Sequence, residues 1–320
     1  MTRILYIGAP EADAAQFTAL AALAFPELGP ALVAVNSKAA ALEHALGSEA
    51  MIGHHFQFDE ELIRAAPRLR WIQSLTTGTD QIVRLRALGA DVTVTSTRGM
   101  HGPQMSELVF LHMLALARNF PQIQRNQAER LWIRWPQPLL WGKTAVIVGL
   151  GAIAQALAPR CKAFGMRVHG ISATPRAVAD FDHVHPRTEL LQAAQLADFL
   201  ILIVPLSQDT ENLISEKVLA AMKPTAFLVN AARGGVLDEA ALLAALRQDR
   251  LAGAGLDVFR EQPLPANSPL WDAPNLLITP LLGGMSDIYL QQAFPVVEAN
   301  LRCFLDGRPD QMQNRVARTV

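Results

Sequence analysis

Two cysteines in 320 residues are too few and too isolated for a disulfide framework. Cys161 and Cys303 also have no partner at metal-ligand spacing, so they point to a reducing compartment. Charge of one sign is lacking as well: 28 Lys and Arg stand against 29 Asp and Glu, a net charge of −1, with no basic run. This excludes the field that draws nucleic acid or an anionic membrane surface. No apolar run reaches the roughly 18–20 residues of a membrane helix, and the N-terminus leads into a strand without a signal peptide. There is no internal repeat and no low-complexity segment. A cytoplasmic protein is expected. What is present is core material, 51% hydrophobic residues. The length suits two domains of about 100–200 residues each.

The most informative segment lies near the middle. Val146 to Val148 form an apolar run of the buried-strand type, followed by Gly149-Leu-Gly151-Ala152-Ile153-Ala154. Gly149 and Gly151 allow a tight turn and close approach of backbone to a pyrophosphate, and Ala154 lets the next helix pack on the strand. A G-x-G-x-x-A pattern alone is weak. Here a strand precedes it, a helix is expected over 153–164, and a second strand over 166–171 completes the unit within about 30 residues. This spells a dinucleotide fold.

The same alternation of strand and helix occurs twice. Strands are expected at 4–8, 31–35, 50–53, 71–75 and 92–95, with helices at 12–24, 38–46, 59–66 and a helical turn at 80–88 between them. Gly99-Met-His-Gly-Pro103 then breaks the pattern, and a long helix is expected from 104 to about 118. Beyond the fingerprint come a helix at 187–196, a strand at 199–204 stopped by Pro205, and a helix at 215–222. A strand at 226–230, a helix at 239–247, strands at 254–257 and 276–279 and a last helix at 288–305 follow. The expected architecture is α/β, two Rossmann-like parallel-sheet domains with a cleft between them. Residues 1–98 plus 288–320 would form a flavodoxin-like substrate domain, and 99–287 the dinucleotide-binding domain.

Several segments in combination resemble the D-isomer-specific 2-hydroxyacid dehydrogenases, the family of phosphoglycerate dehydrogenase and the glyoxylate/hydroxypyruvate reductases. They are Trp71-Ile-Gln-Ser-Leu-Thr-Thr-Gly78-Thr-Asp80, the fingerprint, Val204-Pro205-Leu206 with Thr210, Val229 to Asp238, Ala254 to Phe259 and Asn275 to Pro280. The resemblance implies that the backbone at Leu75, Thr76, Thr77 and Gly78 holds a substrate carboxylate. It places Gly149, Gly151, Ala152, Ile153, Val204, Pro205, Thr210, Ala231, Ala232, Arg233, Asp257 and Gly284 around the cofactor, with Asp257 at the carboxamide. Arg233 would grip the carboxylate and carbonyl of a small 2-keto or 2-hydroxy acid. The chemistry agrees, because one planar guanidinium can bind both groups and stabilise the charge that grows on the carbonyl oxygen. Taken alone, Arg233 reads equally well as a surface arginine after a strand. The resemblance further implies a homodimer, formed through the long helix and the segment behind it.

Two positions depart from the family pattern. Its proton-donating imidazole follows the proline of the last cofactor-domain strand, and that place, after Pro280, holds Leu281. The carboxylate that pairs with it stands before the proline of Asp-Val-Phe-x-x-Glu-Pro, where this chain has Gln262. Glu261 is one residue out of register. A carboxylate facing leucine would be a partly buried charge without a partner, so the two losses are expected to be coupled. Formate dehydrogenases of the same superfamily share a glutamine at the Gln262 place but keep the histidine. His54 and His55 read as loop or cleft-wall residues and His101 as a hinge residue. His183 and His185 read as surface positions, and Trp132, Trp135 and Trp141 as core or subunit-contact residues.

Cofactor choice is read at the end of the second strand of the unit, where an NAD site places an acid about 20 residues after the fingerprint. Ser172 stands there, and the loop Ser172-Ala-Thr174-Pro-Arg176 offers two hydroxyls and a guanidinium, which suits a 2′-phosphate. The loop resembles that of NADPH-using hydroxypyruvate reductases, although their usual arginine place holds Ala173. NADP is favoured over NAD. Three functions fit: a dehydrogenase or ketoacid reductase working without the usual acid, a silent member that binds dinucleotide or keto acid, and an oxidoreductase whose substrate needs no proton transfer.

Overall fold

In the computed structural model, which describes residues 3–8 and 11–317, the chain forms two compact units, Met1–Met100 with Ser286–Val320, and His101–Met285. Residues 1–2 and 318–320, assigned from sequence to the first domain, lie outside the described residues. The elements are β1 (Ile4–Ile7), α1 (Glu11–Ala24), β2 (Leu32–Val35), α2 (Lys38–Ala45), β3 (Ala50–Gly53), α3 (Glu60–Arg64), β4 (Trp71–Ser74), α4 (Asp80–Val83) and β5 (Thr93–Ser96). Next come α5 (Gly102–Ala117), α6 (Phe120–Ala128), β6 (Thr144–Val148), α7 (Ala152–Ala163), β7 (Arg167–Ser172), β8 (His183–Pro186), α8 (Leu190–Leu196) and β9 (Phe199–Leu202). The chain ends with α9 (Glu216–Ala221), β10 (Phe227–Asn230), α10 (Glu239–Arg247), β11 (Gly253–Leu256), β12 (Leu276–Ile278) and α11 (Tyr289–Leu305).

Each unit is built on one parallel sheet, ordered β2-β1-β3-β4-β5 in the first and β12-β11-β10-β9-β6-β7-β8 in the second. The short apolar runs become strands buried on both faces, as parallel sheets covered by helices require. In the second unit β7 and β8 lie on one side of β6 and β9 to β12 on the other. The strand order therefore reverses at β6, and the crevice beyond the carboxyl ends of β6 and β9 is where such sheets take ligands.

Helix α11 belongs to the first unit, where Phe294, Val297 and Leu301 join Phe17 and Trp71 in one core layer. A buried polar network ties it to the sheet. Asn300 donates to Gln73 Oε1 (2.8 Å) and accepts from Gln313 N (2.7 Å), Thr95 donates to the same Gln73 oxygen (2.7 Å), and Trp71 Nε1 donates to Thr95 (2.9 Å). Leaving any of these groups unpaired would cost about 1–3 kcal/mol.

Three elements differ from the sequence reading. Helix α5 starts at Gly102, two residues early, because Pro103 in its first turn needs no N–H partner. Helix α6 was not foreseen: it follows Asn119 in the left-handed region and is short and polar on average, with Phe120, Pro121, Ile123 and Ala128 its only apolar residues. Strand β8 was also missed, being a four-residue edge strand that ends on proline. Trp132 and Trp141 are 93% and 74% exposed, so the core reading fails for both. His185 is buried rather than at the surface. Both cysteines are free, and no helix among the described residues is long and apolar enough to cross a membrane.

The second unit buries one imidazole whole. His112 of α5 is 1% exposed and lies against Gly255 of β11, where a Cβ would come within 2.5 Å of its Nδ1. Its Nε2 is 3.2 Å from Thr279 Oγ1, whose own hydrogen goes to Asp257. His112 must therefore donate through Nε2 in the neutral form, while Nδ1 has no partner. Burial lowers its pKa from 6.5 to about 4. Between those values the unfolded chain binds more protons than the folded one, so stability rises with pH through this window and is lost as acid is added. The full contribution is roughly 3 kcal/mol. His112→Gln should flatten the rise of the urea midpoint between pH 4 and 6.5 by about one proton's worth of slope. An unchanged slope would show that His112 titrates normally.

Candidate active site

The site of the second unit is assembled at the carboxyl ends of β6, β7, β10 and β11. After β6, Gly149 takes φ 108°, and a Cβ there would lie 2.6 Å from the Ile203 carbonyl oxygen. Only glycine fits this turn. Gly151 starts α7, and nothing lies within 4 Å of the place its Cβ would occupy. Ala154 is wholly buried between helix and sheet. A cradle is left open in front of the first turn of α7, with backbone N–H groups facing it, which suits a dinucleotide pyrophosphate.

The loop after β7 folds back towards this turn. Ser172 Oγ donates to Thr174 O (3.1 Å) and accepts from Thr174 N (3.2 Å), and Arg176 Nη2 lies 3.5 Å from Leu150 O. An exposed guanidinium is thus held over the fingerprint loop. After β9 the Thr210 hydroxyl is spent within its own turn, accepting from Ser207 N and donating to Pro205 O, both at 2.7 Å. It shapes the segment after Val204 rather than offering a free donor.

The loop after β10 is set by backbone contact. A Cβ on Gly234 would fall 1.9 Å from Phe259 C, so this glycine lets the loop after β10 press against the chain leaving β11. Asn230 is fully buried and bridges the turn, accepting from Ala232 N (3.1 Å) and donating to Arg233 O (3.2 Å). Ala231 and Ala232 are buried, and Arg233, in extended conformation, donates to Ala232 O at 2.7 Å.

Asp257, one residue past β11 and 1% exposed, accepts from Thr279 Oγ1 (2.6 Å), Leu282 N (2.9 Å) and Gly283 N (3.0 Å). Burial lifts its carboxyl above the usual range, with the three donors opposing. The grip fixes the loop after β12, in which Leu281 is left-handed (φ 57°) and donates to Asp257 O at 3.1 Å. Gly284 follows, 3.6 Å from His101 Cδ2 measured from where its Cβ would be. Leu281 is 48% exposed, and Gln262 and Glu261 are exposed too. The expected burial argument therefore fails: a carboxylate at 262 would be solvated here. His112 and Thr279, behind Asp257, were missed from sequence because their roles depend on which buried atoms meet.

In the first unit the loop after β4 is equally ordered. Leu75 is fully buried, its N–H goes to Gly53 O at 2.8 Å, and its carbonyl accepts from the Tyr289 hydroxyl. Thr76 Oγ1 donates to Gly78 O (3.0 Å) and lies 2.9 Å from His55 Nδ1 and 3.0 Å from Ser74 Oγ. Thr77 is exposed at the crest. His55, expected to be a bland loop residue, thus touches this loop. His54 is buried against Tyr289 and Phe56, and burial lowers its pKa.

Comparison with known proteins agrees with this geometry. Residues 110–283 match the family described as D-isomer specific 2-hydroxyacid dehydrogenase, NAD binding domain. The glyoxylate reductase of Thermococcus litoralis is 34% identical over 268 residues, 80% of each chain. A family protein from Aeromonas salmonicida superposes with TM-score 0.90 at 33% identity, over 100% of both chains. The NADPH-dependent glyoxylate/hydroxypyruvate reductase of Sinorhizobium meliloti, solved with NADP and sulfate, gives 0.84 at 26% identity over 99% of both. The chain belongs to the D-isomer-specific 2-hydroxyacid dehydrogenase family.

Proposed function

We propose that this protein interconverts a small 2-keto acid and its 2-hydroxy acid with NADP, and that it does so without the histidine and glutamate usual in its family. The observation that carries the proposal is the joint presence, in one unit, of an intact cofactor cradle and Arg233 with an exposed Leu281 at the proton donor's place. Support for a glyoxylate-like substrate comes from the glyoxylate reductases among its relatives. The free cysteines suit a cytoplasmic setting.

Gly149, Gly151, Ala152 and Ile153 would hold the pyrophosphate on backbone N–H groups. Val204, Pro205 and Thr210, with Ala231, Ala232 and Gly284, would line the rest of the dinucleotide. Asp257 uses three of its roughly four acceptor sites internally, leaving one for the carboxamide. When bound, the nicotinamide supplies or takes the hydride. Leu75, Thr76, Thr77 and Gly78 would hold the substrate carboxylate, and Arg233 the carboxylate and carbonyl, offsetting charge on the oxygen as the carbonyl is reduced. At Leu281 no group can deliver the proton. A positioned acid is worth about 10²–10⁴-fold, so turnover should be slow by that order. A silent, ligand-binding member is the second reading, and Leu281 is what favours it.

Steady-state assays with glyoxylate and hydroxypyruvate, beside cofactor titration, separate the two. Tight cofactor binding with slow, saturable reduction is expected, whereas binding without turnover selects the silent reading. Leu281→His should help in part, since histidine tolerates the left-handed backbone there at least as well as leucine. Adding Gln262→Glu should gain more than the single changes combined, as groups acting as a unit do. Vigorous turnover by the unmodified chain would overturn the proposal, and His55, His54 and His101 would be the first residues to replace.

The 2′-phosphate assignment rests on Ser172, Thr174 and Arg176. NADPH should bind more tightly than NADH by roughly 1–3 kcal/mol, and Arg176→Ala should remove most of the difference. Equal affinities in the unmodified chain would refute it.

The exposed run Leu131, Trp132, Ile133, Leu139 and Trp141 is apolar surface that a second copy would cover. A two-fold homodimer burying more than about 1,000 Å² is the proposal. Sedimentation showing only monomer at micromolar concentration would contradict it.

A further inference from the structure

Strand β8 closes one edge of the second unit's sheet, and it carries His-Val-His-Pro. Alternate residues of a strand share a face, so His183 and His185 stand together. The register pairs His169 of β7 with His183, adding a third imidazole to that face. Ring centroids are 4.2 Å apart for His183 and His185, 5.3 Å for His169 and His185, and 5.9 Å for His169 and His183. The 3-10 turn Arg187–Glu189 then brings back a carboxylate, with Glu189 Oε2 3.1 Å from His185 Nδ1.

We propose that His183, His185 and Glu189 form a binding site for a divalent first-row transition ion of the zinc type. One ligand atom from each lies within 4.8 Å of the others. Two ligands of a tetrahedral zinc at about 2.0–2.1 Å stand roughly 3.3 Å apart, close to the separation already present between His185 and Glu189. The remaining adjustment falls on His183, which is exposed and can turn. Two imidazoles and a carboxylate suit zinc, nickel or copper, and disfavour calcium or magnesium, which prefer all-oxygen sets.

The support behind the ligands completes the case. His185 Nε2 lies 3.1 Å from His169 Nδ1. With Nδ1 on the metal, His185 would donate from Nε2 to His169, fixing tautomer and ring orientation in the way metal-bound histidines are normally held. His185 is buried, so its position is set before any ion arrives, while the exposed His183 and the half-buried Glu189 leave the site open to entry. Bound metal would staple β8 to the turn before α8, closing a loop at an otherwise weak sheet edge. His169 acts as a positioning residue and does not bind the ion.

Chelator-stripped full-length protein titrated with Zn²⁺ by calorimetry should take one equivalent per chain and gain in melting temperature. Co²⁺ in its place should develop the visible absorption of low-coordinate cobalt. His183→Ala, at an exposed position, and the isosteric Glu189→Gln, at a half-buried one, should keep the metal-free melting temperature and lose most of the binding. His169→Gln should weaken it by about 10–100-fold. Absence of stoichiometric binding would overturn the proposal, as would binding that survives the double change His183→Ala, Glu189→Ala.

Discussion

A carboxylate taken out of water must find donors, and the way Asp257 finds them sets the geometry of the second unit's site. At 1% exposure it has two backbone N–H groups and one hydroxyl around it, all supplied by residues 279–283. Losing one partner of a buried charge costs several kcal/mol, so the loop after β12 is not free to wander. It is drawn across the end of β11, with Leu281 turned left-handed. His112 reinforces this from beneath by donating to Thr279, which directs that hydroxyl's only hydrogen to Asp257. The side chain at 281 is thereby placed with the care a catalytic group would need, though it is a leucine.

The parts read from sequence were those where a residue type has one physical use. Gly149 could be recognised because only glycine makes that turn, Gly151 because its missing side chain leaves the cradle open, and the parallel sheets because their strands are continuous apolar runs. What escaped was whatever depends on distant atoms meeting. Nothing in the letters around Gly234 shows that its lack of a side chain is what lets the chain beyond Phe259 lie against it. His112 sits in an apolar helix and would pass for a polar interruption until Thr279, far along the chain, is placed beside it. His183 and His185 fall on a short edge strand with no hydrophobic signature, and Glu189 on the turn that follows it.

The departures at 262 and 281 were visible as letters, but the reason first suggested for their coupling does not survive. Gln262 is exposed, so desolvation gives no cause to exchange a glutamate for a neutral amide. A carboxylate there simply has no imidazole to orient. In the proposed function Arg233, Asp257 and the cradle at Gly151 would need no proton donor to bind their ligands, so they could keep their form while the acid is missing.

The central claim is that no imidazole at this site carries a catalytic proton, and the pH dependence of kcat/KM for NADPH-driven glyoxylate reduction tests it most directly. Free imidazoles titrate near 6.5 and report themselves as a break in such a profile. The expected result for the unmodified protein is a low rate with no break between about pH 5.5 and 8. A break in that range, abolished by replacing His55 or His54, would show that another histidine has taken the role and would contradict the claim.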